Sequence, residues 1–411
     1  MAYIKRHLEK EIIKASKTYP VVMVCGQRQV GKTTMLYNIK SKKMGYITLD
    51  DASVRRLAKN DPELLLDNYD TPLIIDEFQR APKILLTIKK FIDESKLQKN
   101  KAHGLYWITG SQKFKMMKNV SESLAGRIAV IDMSSLTSKE IGKKPEFFFD
   151  GNLSKLKKLY NPKKDYVDVK KVYEKIFAGG MPEIIANKVD RNNYYMDYVN
   201  TYLERDIKEL SQVGNLDTFN DFLVYIAART AQELKYEDIS KNLGISAPTA
   251  KAWVTILERT GIIHILRPYS KNITKRLVKT PKVYFMDTGL CAYLCGYDTV
   301  KSLQNGNMSG AIFETYVVTE IIKSYINSRK KLNLYYYRDI DKKEIDLLIV
   351  NGDSIIPIEI KKNKSPENAT KNFSVLNKFK MKVGKGIIIC LAQDFLPYDK
   401  TSEICPVGAL L

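Results

Sequence analysis

One nine-residue stretch constrains this chain more than any other feature of its sequence. It fits the pattern G-x-x-x-x-G-K-[ST], and its residues are Gly26-Gln27-Arg28-Gln29-Val30-Gly31-Lys32-Thr33-Thr34. Residues 19–25 before it are typical of a buried strand, and residues 34–40 after it are typical of a helix. A strand, a glycine-rich turn and a helix in this order predict a doubly wound α/β sheet. These flanks disfavour a chance match on an ordinary glycine turn.

The residue types of this loop suit a nucleoside triphosphate. The glycines let the backbone curl closely around a ligand, and successive N–H groups then form a nest for an anion. We expect Lys32 to reach the β- and γ-phosphates and the Thr33 hydroxyl to ligate Mg²⁺. The N-terminus of the following helix also favours phosphate. The sequence therefore predicts ATP and Mg²⁺ as cofactors, bound by residues 26–34.

A second short apolar run, residues 71–75, ends in the acidic pair Asp76 and Glu77. Strands that are buried on both faces of a parallel sheet have this composition. We expect Asp76 to hold Mg²⁺, as the corresponding aspartate of P-loop enzymes does, and Glu77 to orient and polarise the attacking water. A strand that simply ends in a polar turn is the alternative, and the preceding phosphate loop disfavours it.

A third predicted strand, residues 105–109, leads into Gly110 and Ser111. A polar side chain at the end of a strand next to the phosphate loop is placed to sense the γ-phosphate. Thr109 and Ser111 are the candidates for this role. The helical pattern of residues 83–96 lies between the second and third strands, as expected for an alternating α/β fold.

The bulk composition limits the class of protein. The chain has 411 residues, 44% of them hydrophobic, and a formal net charge of +21. No apolar run approaches the roughly 20 residues of a membrane span, and residues 1–10 lack the apolar core of a signal peptide. We expect a cytoplasmic protein with no membrane partner. The charge favours a polyanionic partner such as DNA, although a lysine-rich proteome would give the same charge.

Several short motifs, taken together, resemble one family. It is the AAA-type P-loop ATPases of bacteria and archaea that carry a C-terminal domain of unknown function, and the resemblance covers nearly the whole chain. Besides the loop at 26–34, the motifs are Leu49-Asp50-Asp51, Ile75-Asp76-Glu77-Phe78-Gln79, Thr109-Gly110-Ser111, Ser123-Leu124-Ala125-Gly126-Arg127, Gly179-Gly180-Met181-Pro182-Glu183 and Tyr202-Leu203-Glu204-Arg205-Asp206.

The resemblance implies an arginine near the γ-phosphate. AAA enzymes usually use an arginine, from the same chain or from a neighbouring one, to stabilise charge on that phosphate. Arg127 follows a turn of small residues, and Arg205 lies on a predicted helix after the nucleotide domain. Either is a candidate, and a surface ion pair is the alternative for each.

The middle of the chain predicts a winged helix. A short helix over 236–244 ends at a glycine, Ser246 and Pro248 begin the next helix over 249–260, and strands follow at 262–266 and 282–286. The second helix of such a module commonly enters the major groove of DNA. Winged helices also serve as packing modules, and Trp253 has the character of a core residue. The candidate phosphate contacts are Lys251, Arg259, Arg267, Lys271, Lys275 and Arg276.

The C-terminal part predicts a restriction-endonuclease-like α/β domain. Glu314 lies on a predicted helix, Asp346 on a strand, and Glu359 and Lys361 on the next strand. This order resembles the PD-(D/E)xK nuclease core. Alternation along the strand places Glu359 and Lys361 on one side. We expect Asp346 and Glu359 to bind a second divalent cation and Glu314 to complete its shell. Lys361 would orient the water or stabilise charge at the scissile phosphate. The alternative is an inherited fold whose acids pair with lysines.

The predicted organisation has four parts: a P-loop ATPase domain over 1–150, a helical lid over 165–215, a winged helix over 216–297 and a nuclease-like domain over 305–411. We expect ATP-dependent action on duplex or branched DNA, with a homo-oligomer as a further expectation. The alternative is an ATP-dependent signalling or toxin–antitoxin-like switch that binds a protein partner and has an inactive nuclease-like domain.

Overall fold

The computed structural model describes residues 3–98, 102–110, 120, 123–203, 216–272 and 280–411. The chain divides into two compact units. Unit one contains Met1–Leu136, Arg259–Gly261 and Ile326–Arg329, and unit two contains Thr137–Glu258, Ile262–Tyr325 and Lys330–Leu411. The finer division into four domains stays a prediction. No helix in the described part of the chain is both long and apolar enough to cross a membrane.

Unit one is built on a five-stranded parallel sheet. Its strands are β1 (Val21–Gly26), β2 (Gly45–Thr48), β3 (Leu73–Asp76), β4 (Tyr106–Gly110) and β5 (Ile128–Met133). Their order in the sheet is β2-β3-β4-β1-β5. Since every pairing is parallel, the carboxyl ends of all five strands lie at one edge. The predicted α/β sheet is confirmed, and β2 and β5 are strands that sequence reasoning did not find.

Helices flank this sheet because their apolar faces pack on strands that consist mostly of apolar residues. They are α1 (Glu9–Ser16), α2 (Lys32–Ile39), α3 (Ala52–Asn60), α4 (Pro62–Asp67) and α5 (Ile84–Leu97). The core between strands and helices includes Met23, Ile75, Ile88 and Ile108, all fully buried. Asp51 caps α3 by accepting from two backbone N–H groups of its first turn.

The helices of unit two begin with α6, directly after the first sheet. They are α6 (Ser138–Ile141), α7 (Leu153–Leu159), α8 (Pro162–Asp165), α9 (Val169–Ala178), α10 (Pro182–Asn187), α11 (Arg191–Tyr198), α12 (Leu216–Ala228), α13 (Tyr236–Leu243), α14 (Ala247–Arg259), α15 (Thr288–Leu294), α16 (Val300–Asn305) and α17 (Ser309–Asn327). Asn152 and Asn161 cap α7 and α8, since each side chain accepts from a backbone N–H of the first turn.

Two sheets complete unit two. The smaller one has the order β6-β8-β7, with β6 (Gln232–Glu233), β7 (Ile263–Leu266) and β8 (Lys282–Phe285). The larger one has the order β14-β15-β13-β11-β10-β9, and β12 pairs with β11. Its strands are β9 (Leu334–Arg338), β10 (Glu344–Asn351), β11 (Ser354–Lys361), β12 (Lys382–Val383), β13 (Gly386–Cys390), β14 (Leu396–Pro397) and β15 (Ser402–Pro406).

The carboxylate of Asp287 joins three helical segments of unit two. Asp287 is 1% exposed. Its Oδ2 accepts from the Gly180 N–H at 2.8 Å, and its Oδ1 accepts from the Tyr195 hydroxyl at 2.6 Å and from the Leu290 N–H at 3.0 Å. A Cβ at Gly179 would lie 2.6 Å from this carboxylate. The Gly179-Gly180 motif therefore has a packing role, because only glycine lets the backbone come so close.

We expect Asp287→Ala to lower the free energy of unfolding by about 3 kcal/mol, because three buried donors lose their acceptor. Asp190 is the matched control, since its side chain caps α11 in an exposed position by accepting from the Asn193 N–H. Asp190→Ala should cost about 1 kcal/mol. Urea unfolding followed by circular dichroism measures both. Equal losses would contradict the role given to Asp287.

Candidate functional site

The glycine-rich loop lies between β1 and α2, as predicted. Gly26 has φ +146° and Gly31, at the N-cap of α2, has φ +88°. A Cβ at Gly26 would lie 2.0 Å from the Met133 carbonyl oxygen, so no side chain fits there. Lys32 is buried, and its Nζ donates to the carbonyl oxygens of Gly26 at 3.1 Å and Gln27 at 2.7 Å. Burial lowers the pKa of Lys32 to about 8. The ammonium is thus held inside the loop by two carbonyl groups that a phosphate can replace.

Asp76 lies at the carboxyl end of β3, and its carboxylate accepts hydrogen bonds from the hydroxyl groups of three other elements. Its Oδ1 accepts from Thr33 Oγ1 at 2.8 Å and from Thr109 Oγ1. Its Oδ2 accepts from the Tyr46 hydroxyl at 3.2 Å. Because β4 lies between β1 and β3, Thr109 stands between the phosphate loop and Asp76. The structure therefore brings together Thr33, Asp76 and Thr109, as the sequence predicted.

Tyr46 was not found from the sequence. It lies on the four-residue strand β2, next to β3 in the sheet. Burial, together with the Asp76 carboxylate, raises the pKa of Tyr46 to about 12, so its hydroxyl remains a donor at neutral pH. Such a short strand gives little periodic signal, and only the strand order shows that Tyr46 faces Asp76.

Glu77 follows Asp76 with a left-handed backbone, φ +53°. Its N–H donates to Thr109 Oγ1 at 3.3 Å, and its carboxylate accepts from the Gln79 amide. Burial raises the pKa of Glu77, and the nearby Lys32 ammonium opposes this shift. A non-glycine residue in this conformation carries backbone strain, which is found most often at functional sites.

Arg6 is a second residue that sequence reasoning missed. It is 3% exposed. Its Nη1 donates to the Val30 carbonyl oxygen at 2.8 Å, and its Nη2 donates to the Ser134 carbonyl oxygen at 2.7 Å. The guanidinium thus ties the phosphate loop to the segment after β5. Nothing in the local sequence around Arg6 points to this contact.

Arg127 lies at the other edge of the sheet. The Val21 N–H at the start of β1 donates to the Arg127 carbonyl oxygen at 3.1 Å. The six residues of β1 place this edge about 17 Å from the phosphate loop. The Arg127 guanidinium donates to the Asp93 carboxylate at 2.9 and 3.0 Å. Arg127 therefore cannot reach a nucleotide in its own chain. Ser111 and Arg205 lie outside the described residues.

The donor set around Asp76 fits Mg²⁺. Mg²⁺ prefers oxygen ligands and is usually held by one or two protein groups besides water and phosphate. The Thr33 hydroxyl and the Asp76 carboxylate are adjacent oxygen donors beside the loop. They are the residues that would hold the ion next to the phosphates.

Unit two brings the predicted C-terminal residues together. β10 and β11 are antiparallel and pair as far as Leu347 and Ile358, and Asp346 and Glu359 are the next residues of the two strands. Asp346 Oδ2 accepts from the Ile360 N–H at 2.8 Å, and Lys361 Nζ donates to Glu359 Oε1 at 2.6 Å. Burial, followed by the Asp346 carboxylate, raises the pKa of Glu359 to about 8.

Glu314 on α17 joins this cluster, but two donors already engage it. Its Oε1 accepts from Lys282 Nζ at 3.1 Å and from the Tyr284 hydroxyl at 2.7 Å. Burial raises the pKa of Glu314 to about 7, and Lys282 opposes the shift. Lys282 and Tyr284 lie on β8, far from Glu314 in sequence, and sequence reasoning had not connected them with this cluster.

The residues after β7 pair with the larger sheet of unit two. Pro268 forms a parallel bridge with Tyr336 of β9, and the Tyr269 N–H donates to the Tyr336 carbonyl oxygen at 2.7 Å. Tyr269 is buried in the cluster that contains Tyr337 and Ile345. This segment, predicted as part of a wing, is therefore engaged within the unit. The candidate cations Lys251, Arg259, Arg267 and Lys271 are exposed, and Lys275 and Arg276 lie outside the described residues.

Three segments of the chain match known protein families. Residues 18–142 match a family described as an AAA domain. Residues 169–301 and 309–410 match two families described as domains of unknown function, DUF8612 and DUF4143. Uncharacterized proteins of Mycobacterium tuberculosis and Mycobacterium bovis are each 25% identical over 412 residues, covering 99% of this chain and 84% of the relative.

Two solved structures have limited similarity to this one. A Walker-type ATPase of Pyrococcus abyssi is 13% identical, covering 71% of this chain and 96% of its own, with a TM-score of 0.44. A RuvB variant of Thermotoga maritima is 15% identical, covering 66% and 93%, with a TM-score of 0.30. Scores this low carry no argument about function. The matched segment and the loop geometry support one conclusion: this chain carries an AAA-type P-loop ATPase domain.

Proposed function

We propose that this protein binds and hydrolyses ATP with Mg²⁺ at the carboxyl edge of the first sheet. The observation that carries the proposal is the contact between Thr33 of the loop and Asp76 of β3 at 2.8 Å. In P-loop enzymes, these two residue types hold the metal between the β- and γ-phosphates. An ion held by Thr33 and Asp76 would neutralise charge that develops on the phosphate oxygens during transfer.

Other side chains of the protein bind the phosphates, orient the water and hold the Asp76 carboxylate. Lys32 leaves the carbonyl oxygens of Gly26 and Gln27 to pair with the phosphates, and the loop N–H groups receive the remaining oxygens. Glu77 orients and polarises the attacking water, and burial, which raises the pKa of its carboxyl group, makes it a stronger proton acceptor. Thr109 and Tyr46 are positioning residues that hold the Asp76 carboxylate.

Lys32→Ala should lower ATP turnover on the order of 10²-fold, because the variant loses a charged donor to the transferred phosphate. Lys40→Ala is the matched control, since Lys40 lies just beyond the same helix and its Nζ donates to the Met44 carbonyl oxygen. Phosphate release at saturating ATP measures both. Turnover by Lys32→Ala equal to that of the control would reject the assignment.

We further propose that DNA, duplex or branched, is the polyanionic partner and that the protein acts in the cytoplasm. The net charge of +21 and the exposed side chains of Lys251 and Lys271 support this proposal. The helices α13 and α14 have the order of a helix-turn-helix. A homo-oligomer is part of this proposal, in which Arg127 serves the γ-phosphate of a nucleotide bound to a neighbouring chain.

The alternative is an ATP-dependent switch that binds a protein partner. The Lys282 contact with Glu314 favours it, because that contact engages a carboxylate that a nuclease would need for metal. In this case the nuclease-like domain is inactive and any nucleic acid is incidental.

ATP turnover with and without duplex, single-stranded or four-way-junction DNA separates the two proposals. Action on DNA predicts stimulation of turnover by one DNA form and a DNA affinity that falls steeply with salt. The switch predicts unchanged turnover and no filter binding at low salt. That second result, in a protein that still hydrolyses ATP, would reject the DNA proposal and leave the ATPase assignment intact.

A further inference from the structure

A buried lysine lies among the carboxylates of unit two. Lys282 is 2% exposed. Its Nζ lies 3.1 Å from Glu314 Oε1 and 2.6 Å from Glu344 Oε1. Lys282 comes from β8 of the smaller sheet, whereas Glu344 comes from β10 of the larger sheet and Glu314 from α17. One ammonium therefore ties three elements together by charge.

The contacts of Glu314 leave it poorly placed as a metal ligand. Its Oε1 also accepts from the Tyr284 hydroxyl at 2.7 Å. A divalent cation at this oxygen would have to displace an ammonium or a hydroxyl hydrogen. Glu344 is engaged in the same way, because Arg338 Nη1 lies 3.1 Å from its other oxygen.

With Glu314 engaged by Lys282 and Tyr284, Asp346 and Glu359 remain as the pair that would hold a metal. Mg²⁺ is usually held by one or two carboxylates together with water and phosphate, so the charge beside this pair decides whether an ion binds. Across the residues that the structure describes, no group of three or more His, Cys, Asp or Glu side chains is arranged to hold a metal ion. Glu359 Oε1 accepts from Lys361, and its buried Oε2 has no hydrogen-bond partner. Lys361 and Lys282 therefore both bring positive charge into the cluster, where a PD-(D/E)xK site has a divalent cation.

We propose that the Lys282 ammonium is the resident cation of this cluster and that it excludes divalent metal from Asp346 and Glu359. A buried positive charge beside those carboxylates raises the cost of bringing in a second cation, because little water screens the repulsion. Separating the partners of a buried ion pair costs free energy, because each charge is left without a partner. The carboxylates of Glu314 and Glu344 therefore hold Lys282 in place. This inference does not depend on ATP hydrolysis in unit one.

Mn²⁺ binding to the nucleotide-free protein tests the inference directly. Electron paramagnetic resonance counts bound Mn²⁺ in the wild-type chain and in Asp346→Asn, which keeps a group able to accept from the Ile360 N–H. If Lys282 is the resident cation, the wild-type protein and Asp346→Asn should bind the same number of Mn²⁺ ions. One ion fewer in Asp346→Asn would overturn the inference.

Lys282→Met gives the complementary result. Loss of the ammonium should create one additional Mn²⁺ site, and Asp346→Asn in the same chain should remove it. Lys385→Met is the control, because Lys385 is exposed and pairs with Glu403. This variant should bind as many Mn²⁺ ions as the wild type does. A folded Lys282→Met that gains no Mn²⁺ would contradict exclusion by Lys282. If this variant does not fold, the wild-type and Asp346→Asn comparison decides.

Discussion

The carboxylate of Asp76 is the interaction on which the nucleotide site depends. It accepts hydrogen bonds from Thr33, Thr109 and Tyr46, which belong to α2, β4 and β2. These donors meet because the parallel sheet brings the carboxyl ends of its strands to one edge. The mostly apolar strands and the apolar faces of the flanking helices form the core that holds this edge, and phosphate transfer depends on such fixed positions.

Much of the nucleotide site could be predicted because the residues that identify it lie close together in the sequence. The glycines and Lys32 lie within one loop, and Asp76 directly follows an apolar strand. The contacts of Tyr46 and Arg6 could not be predicted, since they depend on strand order and on a segment that precedes β1. The position of Arg127 in the sheet could not be predicted either. Its motif suggests a role in transfer, but only the position of β5 shows that it lies at the amino edge of the sheet.

Unit two shows a different limit of sequence reasoning. The sequence predicted that Asp346 on one strand and Glu359 on the next would meet, and in the structure each lies next to the paired residues Leu347 and Ile358 of β10 and β11. The sequence did not connect Lys282 with this group, because β8 belongs to another sheet and comes earlier in the chain. Lys282 pairs with Glu314 and Glu344, and in our proposal this buried ammonium replaces the metal that the order of the carboxylates in the sequence suggests.

ATP turnover and ATP binding by Asp76→Asn test the central claim most directly. Asparagine keeps the size of the side chain but removes the negative charge that holds Mg²⁺. The account predicts that the variant binds ATP and stays folded while its Mg²⁺-dependent turnover falls on the order of 10²-fold. Asp70→Asn, at an exposed position of the same unit, should keep wild-type turnover. Wild-type turnover by Asp76→Asn would contradict the account.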